Sequence, residues 1–316
     1  VSTVNRRVDE SSPMVDARLP ADSRMPRGAR VNVVLPPLSL NGPTVTIRLF
    51  PHALSLTQLI ERESIDRRTA LLLKACVEGR LNVVVSGGTG SGKTTLLNAL
   101  SSFINPDERI VTIEDAAELS LNQPHTIRLE TRPANVEGRG QVSIRDLVRN
   151  SLRMRPDRII VGECRGGEAL DMLQAMNTGH EGSLTTVHAN NPDDALSRLE
   201  TLASMSDVEV PFHALRDQVN SAIDIIVQLN RLADGSRRVV DVSWVRSRRQ
   251  EDFDLVPLMQ YVIDRSDPAT PQGRFDVYEL PAALRQRLTE GGADLSLVAV
   301  ACWSSPPSSS GPSRPR

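Results

Sequence analysis

A glycine-rich run between residues 83 and 95 carries the strongest chemical signal in this sequence. Aliphatic residues typical of a buried strand are followed by a glycine-rich turn and then by the start of a helix. Residues 87–94 fit the pattern G-x-x-x-x-G-K-[ST], whose glycines let backbone N–H groups converge on phosphate oxygens. In such a loop the lysine reaches the β- and γ-phosphates, and the hydroxyl that follows binds Mg²⁺. We therefore predict a nucleoside triphosphate site, with an ordinary glycine turn as the alternative, formed by Gly87, Gly88, Thr89, Gly90, Ser91, Gly92, Lys93, Thr94 and Thr95.

Polar clusters follow three other strand-like runs, at the point where each run ends. Glu114 and Asp115 follow the run at 109–113, Glu163 and Arg165 follow the run at 158–162, and His188 follows the run at 183–187. In open α/β sheets, ligands bind at the carboxyl ends of the strands. We therefore expect these side chains to gather beside the glycine-rich loop.

The chemistry of these side chains suits hydrolysis of a bound nucleotide. Glu163 has the Walker B position and is predicted to act as general base or to orient the attacking water; the alternative is an acid that balances the dipole of the following helix. Glu114 and Asp115 would add negative charge on the metal side through water. His188 would sense the γ-phosphate or hold the water, although a lone histidine is often structural. The predicted metal ligands are Thr94, Glu163 and Glu114.

Arginine side chains that could meet developing phosphoryl charge occur in three places. A predicted loop at residues 125–133 offers Arg128 and Arg132, and Arg48 lies at the end of an N-terminal strand. Guanidinium groups meet such charge well, whether they come from the same chain or from a neighbouring subunit. Each taken alone is typical of surface charge, but we expect at least one to be an arginine finger. The arginines of the loop at 21–30 are expected to be solvated, with phosphate binding as the alternative.

The pattern of apolar runs predicts the scaffold that positions these groups. Residues 1–50 contain strand-like runs at 14–19, 31–35 and 44–49, which indicate a small antiparallel sheet, and residues 55–80 have helical periodicity. Beyond residue 81, buried strands alternate with helices, which predicts an α/β fold with a mainly parallel sheet covered on both faces. Runs at 224–229 and 237–242 should extend the edge of that sheet. The Ser/Pro-rich residues 304–316 are expected to be disordered.

Composition restricts the class of protein. The 316 residues are 39% hydrophobic but only 3% aromatic, so the core must consist of Leu, Val, Ile and Ala. A net charge of -2 gives no strong nucleic-acid signal, although local basic patches remain compatible with it. Cys76, Cys164 and Cys302 lie far apart, which excludes a zinc knuckle and favours a reducing compartment. No signal peptide or membrane-spanning run is visible, and the start at Val1 leads us to expect a truncated N terminus.

These motifs, in this order, resemble the secretion ATPase superfamily that powers type II secretion, type IV pili and type IV secretion. Within it, the sequence is most similar to the tight-adherence (Flp pilus) assembly ATPases, the CpaF-like branch. The resemblance spans roughly residues 5–245. It rests on the glycine-rich loop and on the segments 6–19, 113–119, 128–132, 155–163 and 177–180.

The resemblance implies a hexameric motor on the cytoplasmic face of an inner membrane that hydrolyses ATP with Mg²⁺ and drives a membrane platform protein. It implies a partial α+β N-terminal domain at 1–51, linker helices at 52–80 and a RecA-like P-loop NTPase domain at 81–245. A C-terminal extension at 246–303 and the tail at 304–316 complete the predicted division. Nucleotide would lie between the N-terminal and RecA-like domains.

Some features depart from the resemblance, and two other functions stay open. The loop at 21–30 is longer than expected, Cys164 stands where an aliphatic residue is usual, and the four-cysteine zinc element of many type II secretion ATPases is absent from the sequence. One alternative is a DNA-handling RecA-like conjugation motor, which would need a basic channel or aromatic stacking platform. The other is a nucleotide-binding assembly scaffold that does not hydrolyse.

Overall fold

The computed structural model describes residues 8–50, 52–135, 138–246, 252–263, 273–296 and residue 298. The segment predicted to be disordered, 304–316, and Cys302 lie outside the described residues. No helix in the described part of the chain has both the length and the apolar character needed to cross a membrane.

The N-terminal residues form a three-stranded antiparallel sheet, as predicted. Its strands are β1 (Met14–Leu19), β2 (Ala29–Val34) and β3 (Thr44–Leu49), and β2 lies in the centre. Strand β2 begins two residues before the predicted run because Ala29 pairs with both Leu19 and Leu49. One face of β2 is buried through Val31 and Val33, whereas every residue of β3 is exposed.

Two helices connect this sheet to the rest of the molecule. Helix α1 (Leu56–Glu61) begins with a capping box in which Ser55 and Gln58 satisfy each other's backbone N–H groups. Helix α2 (Arg67–Glu78) is capped at its start by Asp66, whose carboxylate accepts from backbone N–H groups of the first turn, and at its end by Gly79. The second cap explains why the periodic stretch 55–80 divides into two helices.

A nine-stranded sheet carries the remaining elements. Its strands are β4 (Val83–Gly87), β5 (Ile110–Glu114), β6 (Thr126–Glu130), β7 (Arg158–Val161), β8 (Leu184–Val187), β9 (Ile225–Arg231), β10 (Arg237–Val245), β11 (Leu255–Ile263) and β12 (Gly273–Val277). The order is β12-β11-β10-β9-β4-β8-β7-β5-β6. The strands from β9 to β6 run parallel, whereas β10, β11 and β12 add antiparallel pairs. The predicted α/β fold with a mainly parallel sheet is therefore confirmed.

Helices cover both faces of the parallel part. They are α3 (Lys93–Ser101), α4 (Ile144–Ser151), α5 (Glu168–Asn177), α6 (Pro192–Ser204), α7 (Phe212–Ala222) and α8 (Ala282–Glu290). Successive residues of β4 point into two different cores: Val83 and Val85 pack with α2 and α3, and Val84 packs with α5 and α6. Burial on both faces explains the continuous aliphatic runs of these strands.

The structure corrects two local predictions. Residues 126–130, predicted as part of a loop, form the edge strand β6, because Ile127 and Leu129 pack on the core while the backbone pairs with β5. The run at 224–229 was expected at the edge of the sheet, but β9 lies inside it, beside β4, and β12 forms the edge.

The sheet continues beyond residue 245 through β11 and β12, and α8 packs against it. Arg287 of α8 donates to the carboxylate of Asp224 at 3.0 Å. Burial raises the pKa of Asp224 to about 6, although Arg287 and the backbone N–H of Asn82 oppose the shift. Helix α8 is therefore tied to the start of β9 by an ion pair whose carboxylate is buried and whose guanidinium is partly exposed.

Candidate active site

The glycine-rich loop connects the carboxyl end of β4 to the first turn of α3, as predicted. Gly87 has φ +155, and a Cβ there would lie 2.4 Å from the carbonyl oxygen of Leu229. Gly92, just before the helix, has φ +102, a conformation that L side chains rarely adopt. The loop therefore needs glycine at both ends, and it leaves the unpaired N–H groups of α3 facing a cavity, where an anion binds well.

Lys93 is buried at the base of this loop. Its ammonium donates to the carbonyl oxygens of Gly87 at 2.8 Å and Gly88 at 3.0 Å. It also lies 3.4 Å from each ring nitrogen of His188. Burial lowers the pKa of Lys93, and the carboxylate of Glu163 opposes this shift. The arrangement places a partly desolvated cation at the loop, in need of a strong anionic partner.

Glu163 meets the other strand-end groups as the sequence predicts. Its Oε1 lies 2.6 Å from Nε2 of His188, and its Oε2 accepts from Nε of Arg165 at 2.6 Å. Burial lowers the pKa of His188, against the opposing effect of Glu163, so the neutral imidazole is favoured at neutral pH. Helix α5 has no side-chain cap: Glu168, in its first turn, accepts from the backbone N–H groups of Arg165 and Gly166 at 2.6 and 2.9 Å, whereas Glu163 faces His188.

Glu114 ends β5 in a buried position. Its Oε2 accepts from the backbone N–H groups of Glu118 and Leu119 at 2.9 and 3.0 Å, while its Oε1 is buried without a hydrogen-bond partner among the described residues. Burial raises the pKa of Glu114 to about 7, although these hydrogen bonds oppose the shift. Gly162 packs directly on this side chain, since a Cβ there would lie 2.9 Å from Cγ of Glu114.

Asp115 is exposed and belongs to the surface of the same cluster. Its carboxylate lies 3.3 Å from Nη1 of Arg165 and accepts from the hydroxyl of Thr131 at 3.3 Å. Arg165 thus bridges the predicted base, Glu163, and Asp115, which was predicted to add negative charge on the metal side. The sequence indicated that Arg165 follows the same strand as Glu163, but not that it pairs with both acids.

The three arginines predicted to meet phosphate take different positions. Arg48 lines the cavity beside the loop and lies 3.2 Å from Glu118. Arg128 points to the carbonyl oxygen of Ala117 at 3.1 Å, outside the cavity wall. Arg132 donates to the carbonyl oxygen of Gly140 at 2.7 Å and lines a neighbouring cavity of 620 Å³. Within one chain, only the first of the three is brought to the glycine-rich loop.

Residues 89–95 of the loop line one cavity of 780 Å³, a size suited to a nucleotide, whereas Gly87 and Gly88 do not line it. The strand-end groups that share this cavity are Glu114, Asp115, Glu163, Arg165 and His188. Residues that the sequence analysis did not expect there also line it, namely Arg27, Arg30, Arg62 and Arg237. Arg27 and Arg30 belong to the loop expected to be solvated, and their position favours the phosphate-binding alternative. The breaker-rich composition of that loop could not decide between the two alternatives, because its position depends on contacts between distant segments, such as the ion pairs Arg18–Glu130 and Arg48–Glu118.

His180 lies near the amino ends of the strands, opposite the cavity, which lies at their carboxyl ends. It precedes the amino end of β8, its backbone carbonyl accepts from the hydroxyl of Ser183 at 2.7 Å, and its Nδ1 is buried without a partner among the described residues. The two histidines near β8 are therefore separated by the length of the strand.

A magnesium ion would find only part of its coordination shell in the protein. The described residues contain no group of three or more His, Cys, Asp or Glu side chains that could hold a metal ion. Ser91 and Glu114, whose buried oxygens have no hydrogen-bond partner within the described ranges, and the half-buried Thr94 nevertheless line the cavity. This donor set fits Mg²⁺, which keeps several waters and takes further ligands from substrate phosphates.

Comparison with known proteins relates the chain to one protein family. The model of the type II/IV secretion system protein family matches residues 1–290. Conjugal transfer protein TrbB of Rhizobium radiobacter is 35% identical over 249 residues, which cover 78% of this chain and 72% of that protein. Type IV secretion system protein PtlH of Bordetella pertussis is 41% identical over 253 residues, which cover 70% of this chain and 73% of that protein.

Solved structures share the fold. The VirB11 ATPase of the Brucella suis type IV secretion system is 29% identical, with a TM-score of 0.50 over 77% of each chain. The pilus retraction motor PilT aligns with a TM-score of 0.56 over 78% of this chain and 64% of its own, at 23% identity, which shows the fold alone. By the family match and by these relatives, the chain belongs to the type II/IV secretion system protein family.

Proposed function

We propose that this protein is an ATP-hydrolysing motor that powers type II or type IV secretion or the assembly of a related pilus. The observation that carries the proposal is the meeting of Lys93, Glu163 and His188 at the glycine-rich loop, with 2.6 Å between the glutamate and the histidine. A phosphate-binding loop alone would suit any nucleotide-binding protein. The addition of a carboxylate and a neutral imidazole at the same point supports hydrolysis.

Each group has a role in this proposal. Lys93 exchanges its two loop carbonyls for the β- and γ-phosphates, which are stronger partners for a partly desolvated ammonium. Glu163 accepts a hydrogen bond from the attacking water and orients it or takes its proton, and His188 holds that water from the other side. Thr94, Glu114 and Glu163 would hold Mg²⁺, which would supply charge neutralisation at the phosphates. Asp115 acts through Arg165, by fixing the guanidinium that contacts Glu163.

The arginines support an assembly in which the site is shared. Arg48 reaches the cavity within the chain, and we propose that Arg128 or Arg132 serves a neighbouring subunit as arginine finger. The assembly we propose is a homo-oligomer, a hexamer by resemblance, located in the cytoplasm at the inner membrane and acting on a membrane platform protein. The domain division at residues 51, 80 and 245 remains part of this proposal, with β11 and β12 as an extension of the same sheet. The tight-adherence branch also remains a proposal.

A second candidate is a motor for conjugation, which the name of the relative TrbB favours. The net charge of -2 and the low aromatic content give no support to direct DNA handling. Salt-dependent binding of single-stranded DNA would favour this candidate over a motor that acts only on protein partners.

The test of ATP hydrolysis uses Lys93→Ala and its control Lys74→Ala, which removes a half-buried lysine that pairs with Glu78 on α2, away from the cavity. Turnover of ATP with Mg²⁺ is expected to fall more than about a hundredfold in the first variant and to stay within about twofold in the second. Equal turnover in both variants would exclude hydrolysis at this loop. Wild-type protein that binds ATP but shows no turnover as an assembled oligomer would favour the non-hydrolysing scaffold.

A further inference from the structure

The β9–β10 hairpin contacts the glycine-rich loop, although the hairpin belongs to none of the sequence motifs that predicted the site. Nε of Arg237, the first residue of β10, donates to the carbonyl oxygen of Gly90 at 2.8 Å. The two residues are 147 positions apart in the sequence. Arg237 is exposed and lines the same cavity as the loop, together with Gly235 and Ser236 of the hairpin turn.

The contact extends along the loop. The carbonyl oxygen of Leu229, two residues before the end of β9, occupies the space that a Cβ of Gly87 would need, at 2.4 Å. A Cβ at Gly92 would lie 3.4 Å from Cδ of Arg237 and 3.8 Å from a methyl group of Leu229. The loop is therefore packed against the hairpin at its start and at its end, and the hydrogen bond from Arg237 holds its middle.

The hairpin is a firm support. In its turn, the N–H of Leu232 donates to the carbonyl oxygen of Ser236 at 2.8 Å. The carboxylate of Asp234 accepts from the N–H and from the hydroxyl of Ser236 at 2.9 and 2.7 Å. These hydrogen bonds lower the pKa of Asp234. Val239, two residues after Arg237, donates its N–H to the carbonyl of Ser64 at 2.8 Å, which ties β10 to the turn between α1 and α2.

We propose that Arg237 is a positioning residue that holds the loop ready for phosphate; this inference rests on the proposed nucleotide site. A guanidinium that binds the Gly90 carbonyl on the hairpin side fixes the peptide plane, so that the neighbouring N–H groups are free to face the cavity. A donor that carries charge makes this hydrogen bond stronger than a neutral one. Preorganisation of this kind raises affinity by removing the cost of ordering the loop on binding.

The chain offers a closely matched control for the test. Arg231 of β9 is the direct cross-strand partner of Arg237, is also exposed, and lies outside the cavity wall. Arg237→Ala and Arg231→Ala therefore remove the same charge from the same hairpin. Displacement of a fluorescent ADP analogue would measure the affinities for ADP and for pyrophosphate.

Arg237→Ala is expected to weaken both ligands by about tenfold, because both use the loop N–H groups, whereas Arg231→Ala stays within about twofold. Arg237→Lys should restore most of the affinity, since its ammonium can donate to the Gly90 carbonyl. In turnover of ATP, KM should rise in Arg237→Ala while kcat changes by less than about threefold.

Hydrogen exchange without nucleotide gives a readout that does not depend on binding. The backbone amides of residues 88–92 should exchange faster in Arg237→Ala than in wild-type protein or Arg231→Ala. Unchanged affinity and unchanged exchange in Arg237→Ala would overturn the role of Arg237 but not the proposed nucleotide site. Equal losses of affinity in Arg237→Ala and Arg231→Ala would do the same. Failure of wild-type protein to bind ADP would overturn the proposed nucleotide site and this inference with it.

Discussion

Charged side chains are buried at both ends of the parallel strands, which we call the amino edge, where the strands begin, and the carboxyl edge, where they end. The two edges differ in how completely these side chains are hydrogen-bonded. At the amino edge, Arg158 is 1% exposed; it donates through Nε and Nη2 to Glu108 at 2.8 and 2.9 Å and through Nη1 to the carbonyl of Val77 at 2.7 Å. At the carboxyl edge, Lys93 donates to two loop carbonyls and lies 3.4 Å from the ring nitrogens of His188, and Glu114 keeps one buried oxygen without a partner among the described residues.

This difference separates a structural charge from a functional one. A buried ion pair with complete hydrogen bonding is costly to break, because removal of one partner leaves the other uncompensated. Charged groups with incomplete partners have shifted pKa values and remain available to a ligand. The amino edge therefore stabilises the sheet, and the carboxyl edge retains polar groups that a bound nucleotide would satisfy.

The largest expected effect on stability separates the two edges directly. Arg158→Met should lower the free energy of unfolding by about 3–5 kcal/mol, since it leaves Glu108 with only the more exposed Arg80. Lys93→Met should change it by less than about 1 kcal/mol, because burial already disfavours the charged ammonium. Urea unfolding of the two variants and of the exposed control Arg153→Met would measure this. Equal losses at Arg158 and Lys93 would remove the distinction between the edges.

A smaller effect concerns the pH dependence of stability at Glu114. Its pKa is raised in the folded protein, from 4.5 to about 7, so the folded state binds a proton more tightly than the unfolded state. Stability from this group is present below pH 4.5 and is lost as the pH rises through 7. Glu114→Gln is neutral at every pH, so its stability relative to wild type should increase between pH 5 and pH 8, by about 3 kcal/mol at most.

Urea unfolding at the two pH values, with EDTA and without nucleotide, would measure this increase. Glu181→Gln, which changes an exposed glutamate at the amino edge, serves as control. A stability difference between Glu114→Gln and wild type that is the same at both pH values would contradict the assigned protonation of Glu114.

Local patterns predicted the fold and the carboxyl-edge cluster well, for a physical reason. Parallel strands buried on both faces are continuous aliphatic runs, so the ends of β5, β7 and β8 could be read from the sequence. The polar residues that follow these strands must then meet at one edge of the sheet. The glycine-rich loop could be placed in the same way, because its backbone conformation requires particular residue types.

Features that depend on contacts between distant segments could not be read in this way. Strand β6 alternates apolar and charged residues at an edge, a pattern that a loop between breakers also allows. Arg27 and Arg30 reach the cavity only because the N-terminal sheet packs beside it, and Arg237 reaches Gly90 across 147 residues. No local pattern distinguishes these arginines from the many that are solvated.

The most direct test of the account is the separation of nucleotide binding from hydrolysis in Glu163→Gln. The substitution keeps the size of the side chain and leaves the glycine-rich loop intact, but it removes the carboxylate that we propose orients the water. We expect ATP affinity within about threefold of wild type and turnover reduced by at least about a hundredfold, with Glu181→Gln unchanged in both. Wild-type turnover in Glu163→Gln would contradict the assignment of the carboxyl-edge cluster as the site of hydrolysis.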